Sequence, residues 1–215
     1  MLEENAVLMS DATLWNLSGV QARPAQFKGR SAIEVTMPES AWQDPAKEAL
    51  KDRNFMAWRA LDFTDGTIEL DVASVIAPGA PAYARGFIGV AFRVESSDRF
   101  ESVYLRPANS RCDDQVRRNH TIQYAAYPDF TFDRLRTEEP ESYESYVDVA
   151  LEEWIHLAVQ IQGSAMKLFV NHASQPSLIV HDLKHGADAR GGIGLWVESG
   201  TIGYFADVRV GRVAI

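Results

Sequence analysis

Short apolar runs separated by turn residues recur along this chain. Residues 86–94 (GFIGVAFRV), 100–106 (FESVYLR), 154–161 (WIHLAVQI), 166–170 (MKLFV), 192–197 (GIGLWV) and 204–210 (YFADVRV) are each rich in β-branched and aromatic residues. Such spacing predicts an all-β sandwich or barrel. Upstream, Ile33, Val35 and Met37 alternate with Glu34 and Thr36 until Pro38 ends the pattern. Residues 67–73 place Ile68, Leu70 and Val72 inward in the same way. Strict alternation marks a strand with one buried face. Further strands are expected over 14–17 and 55–63. Residues 38–54 change character: the run AWQDPAKEALK has helix-forming composition and a proline suited to a first turn. One short helix is predicted there, over about residues 40–51.

Period-two sorting assigns side chains to faces. Ile88, Val90, Phe92 and Val94 share one side, with Phe87, Gly89, Ala91 and Arg93 on the other. Val103 and Leu105 oppose Ser102, Tyr104 and Arg106; Ile122 and Tyr124 oppose Gln123; Ile193, Leu195 and Val197 oppose Gly194, Trp196 and Glu198. If these strands share a sheet, the outward face gathers Arg93, Tyr104, Arg106, Gln123, Trp196 and Glu198. Flat aromatic rings suit the C–H face of a sugar, and the polar groups suit its hydroxyls. The competing expectation is that Trp196 packs under a loop and that the arginines pair with internal acids.

The 215 residues are 46% hydrophobic and 10% aromatic, enough for a full core without disulfide staples. Net charge is −9 and the pI is near 5.0, which lacks the basic footprint of a nucleic-acid or anionic-membrane binder. The lone cysteine, Cys112, excludes an intrachain disulfide and fits a reducing compartment. The first nine residues are acidic and lack the basic and apolar regions of an export signal, so the expectation is a cytoplasmic protein if that terminus is native. No apolar run approaches membrane-spanning length. No linker or repeat divides the chain, and residues 1–215 are read as one domain.

The order of elements, from GFIGVAFR at 86–93 through YLRP at 104–107, WIHLAV at 154–159, MKLFVN at 166–171, GIGLWV at 192–197 and YFADVRV at 204–210, resembles the concanavalin A-like lectin/glucanase superfamily. It is most similar to its laminin-G-like and keto-disaccharide-hydrolase-like jelly rolls. The resemblance covers roughly residues 55–213. It implies two packed antiparallel sheets forming a jelly roll, with a glycan bound on the concave sheet and, in some members, cleaved. It also brings calcium in as a candidate structural ion, with Asp207 as the candidate ligand. The chain departs from the sandwich glucanases, whose strand carries Glu-x-Asp-x-(x)-Glu: here Glu69 and Asp71 share a face without a third carboxylate.

Residues 107–150 form a polar excursion between core strands, with one strand embedded at 120–125. Rigid sheets commonly position such segments for function. Arg117, Arg118 and His120, with Arg106 and Arg111, make a basic patch in an acidic chain. Arginine forks match carboxylates, so an anionic sugar fits; so do the internal acids Asp113, Asp114, Asp129 and Glu144. His120 is a candidate general base and Glu144 a candidate acid. The binding candidates are Tyr104, Arg106, Arg118, Gln123, Trp196 and Glu198. His156, His172, His181 and His185 show no metal spacing, and there is no phosphate loop, dinucleotide fingerprint or Gly-x-Ser-x-Gly elbow.

Three classes of function stay open: a glycosidase or lyase, a non-catalytic carbohydrate-binding module, and a structural or interaction domain. If Trp196 stacks on sugar, Trp196→Ala should abolish binding without unfolding the chain.

Overall fold

The computed structural model describes residues 6–7 and 14–212. Most of the acidic N-terminal run on which the cytoplasmic expectation rests lies outside them. Among the described residues the strands are β1 (Ala6–Val7), β2 (Asn16–Ser18), β3 (Gln21–Phe27), β4 (Arg30–Thr36), β5 (Met56–Phe63), β6 (Gly66–Ile76), β7 (Ile88–Ser96), β8 (Arg99–Leu105), β9 (Ile122–Tyr127), β10 (Glu144–Ser145), β11 (Ile155–Gln162), β12 (Ala165–Val170), β13 (Leu178–Val180), β14 (Gly191–Val197) and β15 (Thr201–Arg212). Three short helices, α1 (Pro107–Ser110), α2 (Gln115–Asn119) and α3 (Phe132–Glu138), lie in the polar excursion. No helix among the described residues is long and apolar enough to cross a membrane.

The strands form two antiparallel sheets. The first runs β13-β12-β11-β6-β15-β4-β3, with β1 also pairing with β15; the second runs β10-β9-β8-β7-β14-β5-β2. Neighbours distant in sequence, such as β6 with β15 and β7 with β14, make this an all-β jelly-roll sandwich rather than a meander. Between the sheets lies the main core, which includes Ile68, Leu70, Val72, Leu157 and Phe205 from the first and Ile88, Val90, Val103, Leu105, Ile122 and Leu195 from the second. A second apolar cluster of Met56, Ala91, Phe100, Tyr104, Ala125 and Trp196 covers the opposite, outer face of the second sheet. Alternation therefore assigns these faces correctly. The arrangement depends on Gly89, where a Cβ would fall 2.3 Å from the Val103 carbonyl oxygen and 2.5 Å from Tyr104 Cα.

Alternation fails at Arg93. Its φ of 50° makes a bulge, and register shifts on both sides of β7. Val94 consequently joins the outer cluster. The Arg93 side chain plugs one end of the sandwich, donating to the carbonyls of Thr64, Gly163 and Gly186 and lying 3.7 Å from Glu101. Arg93 thus leaves the predicted binding face: a bulge re-aims every residue beyond it.

The helix expected over 40–51 does not form. A 3-10 turn occupies Glu39–Ala41, and the Asp44 carbonyl then accepts from Lys47 and Glu48 to give one further turn. Gln43 closes the loop with its side-chain amide, donating to Lys51 O at 2.8 Å and accepting from Lys51 N at 2.9 Å. These contacts override the weak local helix preference. Residues 38–55 instead cross the outer face of the second sheet as a lid. Trp196 Nε1 donates to Arg53 O at 2.7 Å, Gln43 N to Ser199 Oγ at 3.0 Å, and Tyr83 Oη to Gln43 O.

Candidate functional site

Where the lid, the segment before β7, the end of β8 and α1–α3 converge, they enclose a cavity of about 210 Å³. Its floor holds Tyr104 and Arg106; Asp52 and Glu198 reach it from the lid side and from the end of β14; His120, Phe132 and Arg136 come from the helical excursion. Tyr83, Arg85 and Phe87 form another wall.

Arg106 is the hub of the floor. Its Nη1 donates to His120 O at 3.0 Å and lies 3.5 Å from Glu144 Oε1; its Nη2 donates to Tyr104 Oη at 2.9 Å and to Gln123 Oε1 at 3.2 Å. Gln123 Nε2 is in turn fixed on Tyr124 O at 2.8 Å. Tyr104 passes the chain on, donating to Asp52 Oδ1 at 2.6 Å, while Asp52 Oδ2 accepts from Phe132 N at 2.7 Å. Asp52 thus ties the lid to both β8 and α3. Burial raises its pKa to about 6, although both hydrogen bonds and the nearby Arg106 favour the carboxylate. Two guanidinium groups approach Phe132, Arg106 at 5.3 Å and Arg136 at 5.1 Å from its ring centre.

The other two acids are also engaged. Glu144 receives both forks of Arg136 and lies 3.6 Å from His120 Nε2. Glu198 accepts from Arg53 Nε at 3.1 Å and Nη2 at 2.5 Å, and from Ser199 N at 2.7 Å. Burial holds the His120 imidazole below its usual pKa, with Glu144 opposing. His120 also lines a neighbouring cleft of about 240 Å³ together with Glu144 and Tyr146.

Tyr104, Arg106, His120, Gln123, Glu144, Trp196 and Glu198 therefore meet in one region, but in unequal positions. Trp196 is 1% exposed and Gln123 is fully buried. Trp196 lies under the lid with its ring 4.5 Å from that of Tyr104. The stacking role expected for Trp196 is corrected: the lid covers the ring and leaves no face for a sugar. Trp196→Ala is expected to lower unfolding free energy by about 3–5 kcal/mol, measured by urea denaturation, rather than to remove binding from a folded protein. Tyr104, also 1% exposed, contributes its hydroxyl to the network beneath the cavity rather than an open ring.

Arg118 lies outside the cavity, donating to Tyr146 Oη at 3.3 Å. His120 caps the C-terminus of α2 instead of starting a strand. Asp207 is corrected more fully. It sits in a bulge of β15 on the other sheet, where its Oδ2 accepts from Arg30 at 2.6 Å. Among the described residues no three His, Cys, Asp or Glu side chains gather as metal ligands. With its carboxylate taken by a cation, Asp207 does not fit a calcium site. Glu69 and Asp71 also lie on the first sheet, and Asp71 is held by Arg30 and by His156 Nδ1 at 2.7 Å.

Sequence reasoning missed Asp52, Tyr83, Arg85, Phe132 and Arg136, and it put Phe87 on the outward side without making it a binding candidate. A signal existed for Phe87, which shares the outward side with Gly89 and Ala91; Tyr83 and Arg85 lie in the turn and loop before β7, where Gly86 has a φ of 69° and alternation does not run.

No family model matches the chain, and no curated protein matches it. Solved structures do. A Bacillus subtilis protein of unknown function with a galectin-like fold superposes with a TM-score of 0.60 at 11% identity, covering 98% of this chain and 96% of that one. A functionally unknown Saccharomyces cerevisiae protein gives 0.56 at 8% identity over 96% and 100%. A candidate glycosyl hydrolase of Parabacteroides distasonis gives 0.52 at 11% identity over 97% and 92%. At these identities the likeness establishes the fold alone, a galectin-like jelly roll.

Proposed function

We propose that this protein binds a carbohydrate in the cavity on the outer face of its second sheet, without cleaving it. The observation that carries this reading is the pairing of half-buried aromatic rings, Tyr83, Phe87 and Phe132, with the polar groups of Arg85, Arg106 and Asn109 around one small hollow. Rings supply an apolar surface for sugar C–H groups, and the fixed donors and acceptors read hydroxyls. The cavity lies below the roughly 300 Å³ of a small ligand pocket, which suits one sugar ring better than a length of chain. A protein of similar fold is named as a candidate glycosyl hydrolase, so glycans are the compounds to try first.

Binding without cleavage is favoured because Asp52, Glu144 and Glu198 are each held by two or more donors. A hydrolytic pair needs one acid free to give a proton and another free to attack or to activate water. One observation supports a second reading, proton transfer by His120: burial favours its neutral imidazole, and Glu144 stands beside it.

A glycan array probed with the full chain tests the first reading. Hits are expected, and Phe87→Ala is expected to weaken them about tenfold, while Tyr146→Ala, away from the cavity, leaves them unchanged. Absence of hits, or equal affinity in Phe87→Ala, would remove the reading. Incubating each hit with the protein and assaying new reducing ends or unsaturated products decides between binding and His120-dependent cleavage.

A further inference from the structure

Charge is unevenly satisfied around the cavity. The carboxylates of Asp52, Glu144 and Glu198 all have fixed donors. Two guanidinium groups at the wall do not have the converse. Among the described residues no carboxylate lies within 4.0 Å of the guanidinium of Arg85 or of Arg117, although the Arg117 backbone N donates to Asp114 Oδ1 at 3.1 Å. Arg85 uses Nη1 on the carbonyls of Ala82 at 2.7 Å and Ala84 at 2.8 Å. Arg117 donates from Nε to Asn109 Oδ1 at 3.3 Å. Both line the cavity, and the backbone holds them together: the Arg85 carbonyl accepts from Ala108 N, one residue before the asparagine that holds Arg117.

Two half-buried cations side by side repel. Burial, then Arg117, lowers the pKa of Arg85, with Arg106 adding to the effect. The chain has 30 acidic and 21 basic residues, so acids are plentiful. None of the described ones comes within 4.0 Å of either guanidinium. Each guanidinium keeps N–H groups beyond those bonds, and Tyr83 and Phe87 line the same cavity.

We infer that the cavity selects a saccharide bearing a carboxylate, which Arg85 and Arg117 clamp from two sides. The inference rests on the carbohydrate reading above and adds the substrate class. A planar carboxylate matches a guanidinium fork through two parallel hydrogen bonds. The group would neutralise the pair that the protein itself leaves unbalanced, while Phe87 and Tyr83 lie against the ring that carries it. The same clamp explains how a protein of net charge −9 accepts an anion: local charge at the cavity overrides the mean field over a distance shorter than the screening length of about 8–10 Å.

The test is a glycan array holding uronate-bearing, sialylated, sulfated, phosphorylated and neutral glycans, followed by calorimetry on the strongest hit. Hits are expected among the carboxylate-bearing glycans, with affinity falling as NaCl is raised. Arg85→Gln and Arg117→Gln are each expected to weaken such a hit about ten- to hundredfold. Both variants should stay folded without ligand, because loss of one repelling charge offsets loss of the Arg85 carbonyl bonds or of the Arg117–Asn109 bond. Arg117→Lys, which keeps the charge and loses the fork, is expected to fall between wild type and Arg117→Gln.

Equal binding of neutral glycans would overturn the carboxylate inference and leave carbohydrate binding intact. Hits confined to sulfated or phosphorylated glycans would overturn it in favour of a tetrahedral anion. Carboxylate binding unchanged in both glutamine variants would place the clamp elsewhere and also overturn it. An array with no hits would remove the carbohydrate reading itself.

Discussion

Arg106→Leu is expected to lower the unfolding free energy by about 3–5 kcal/mol and to abolish ligand binding. The residue is 5% exposed and is the common partner of Tyr104, Gln123, Glu144 and the His120 carbonyl. Leucine fills much of the same space but satisfies none of them. Glu144 keeps Arg136, so its charge is not fully orphaned. The Gln123 carbonyl oxygen, however, loses the donor it has at 3.2 Å inside a fully buried site. An acceptor stripped of its partner in such a place carries its whole desolvation penalty. Urea denaturation measures the stability change, and calorimetry with the array hit measures binding. Arg106→Lys, still charged but unable to fork, is expected to recover part of the stability and little of the binding. A loss below about 1 kcal/mol in the leucine variant would show that the network is ornamental.

The second large effect is a pH dependence centred on Asp52. Its carboxyl is held at about 6 by burial, against an ordinary value of 3.8. The groups facing it are Tyr104, Arg106, Phe132 N and, at longer range, Glu198. The sign follows from proton counting. Near pH 3 the carboxyl is protonated in both states, and burial carries no charge penalty. As pH rises from about 4 to about 6, the unfolded chain releases the proton first, so the folded state binds more protons and stability falls. Above about pH 7 both states are ionised and the loss is complete, at roughly 3 kcal/mol for a difference of this size. Asp52→Asn cannot ionise. The stability of wild type relative to Asp52→Asn should therefore decline by about 2–3 kcal/mol between pH 4 and pH 7, then stay level. Denaturation of both proteins across that range checks it. A difference that is flat, or that rises with pH, would mean that Tyr104, Phe132 N and Arg106 stabilise the carboxylate more than burial opposes it. Because Asp52 also pins the lid, hydrogen exchange of the Trp196 indole N–H, which donates to Arg53 O, reports independently whether the variant lid stays closed.

Much of the framework was legible along the chain. Alternation sorted Ile88 from Gly89, Val103 from Tyr104, Ile122 from Gln123 and Leu195 from Trp196, and each member lies on the side expected. It failed at Arg93 and Val94, because a positive φ inserts an extra residue into the count without a glycine to announce it. The lid was illegible for another reason. Its sequence has a weak helix preference, and besides the local Gln43–Lys51 bonds the contacts that shape it come from Ser199, Tyr104, Tyr83 and Trp196, far away along the chain. Asp52 shows this most clearly. Nothing marks it locally, and its two hydrogen-bond partners are 52 and 80 residues distant. Arg118 and Asp207 misled in the opposite direction: each has fitting chemistry, but one pairs with Tyr146 and the other with Arg30 on the far sheet.

Strand positions and the side to which each residue points were determined by the sequence itself, because successive side chains leave an extended backbone in opposite directions whatever surrounds them. Whether an outward side chain meets solvent, a lid or another ion was decided only by the tertiary structure. Trp196 is covered and Arg85 is left with no described carboxylate partner by segments that reach them from elsewhere in the chain, and burial and charge pairing depend on neighbours in space.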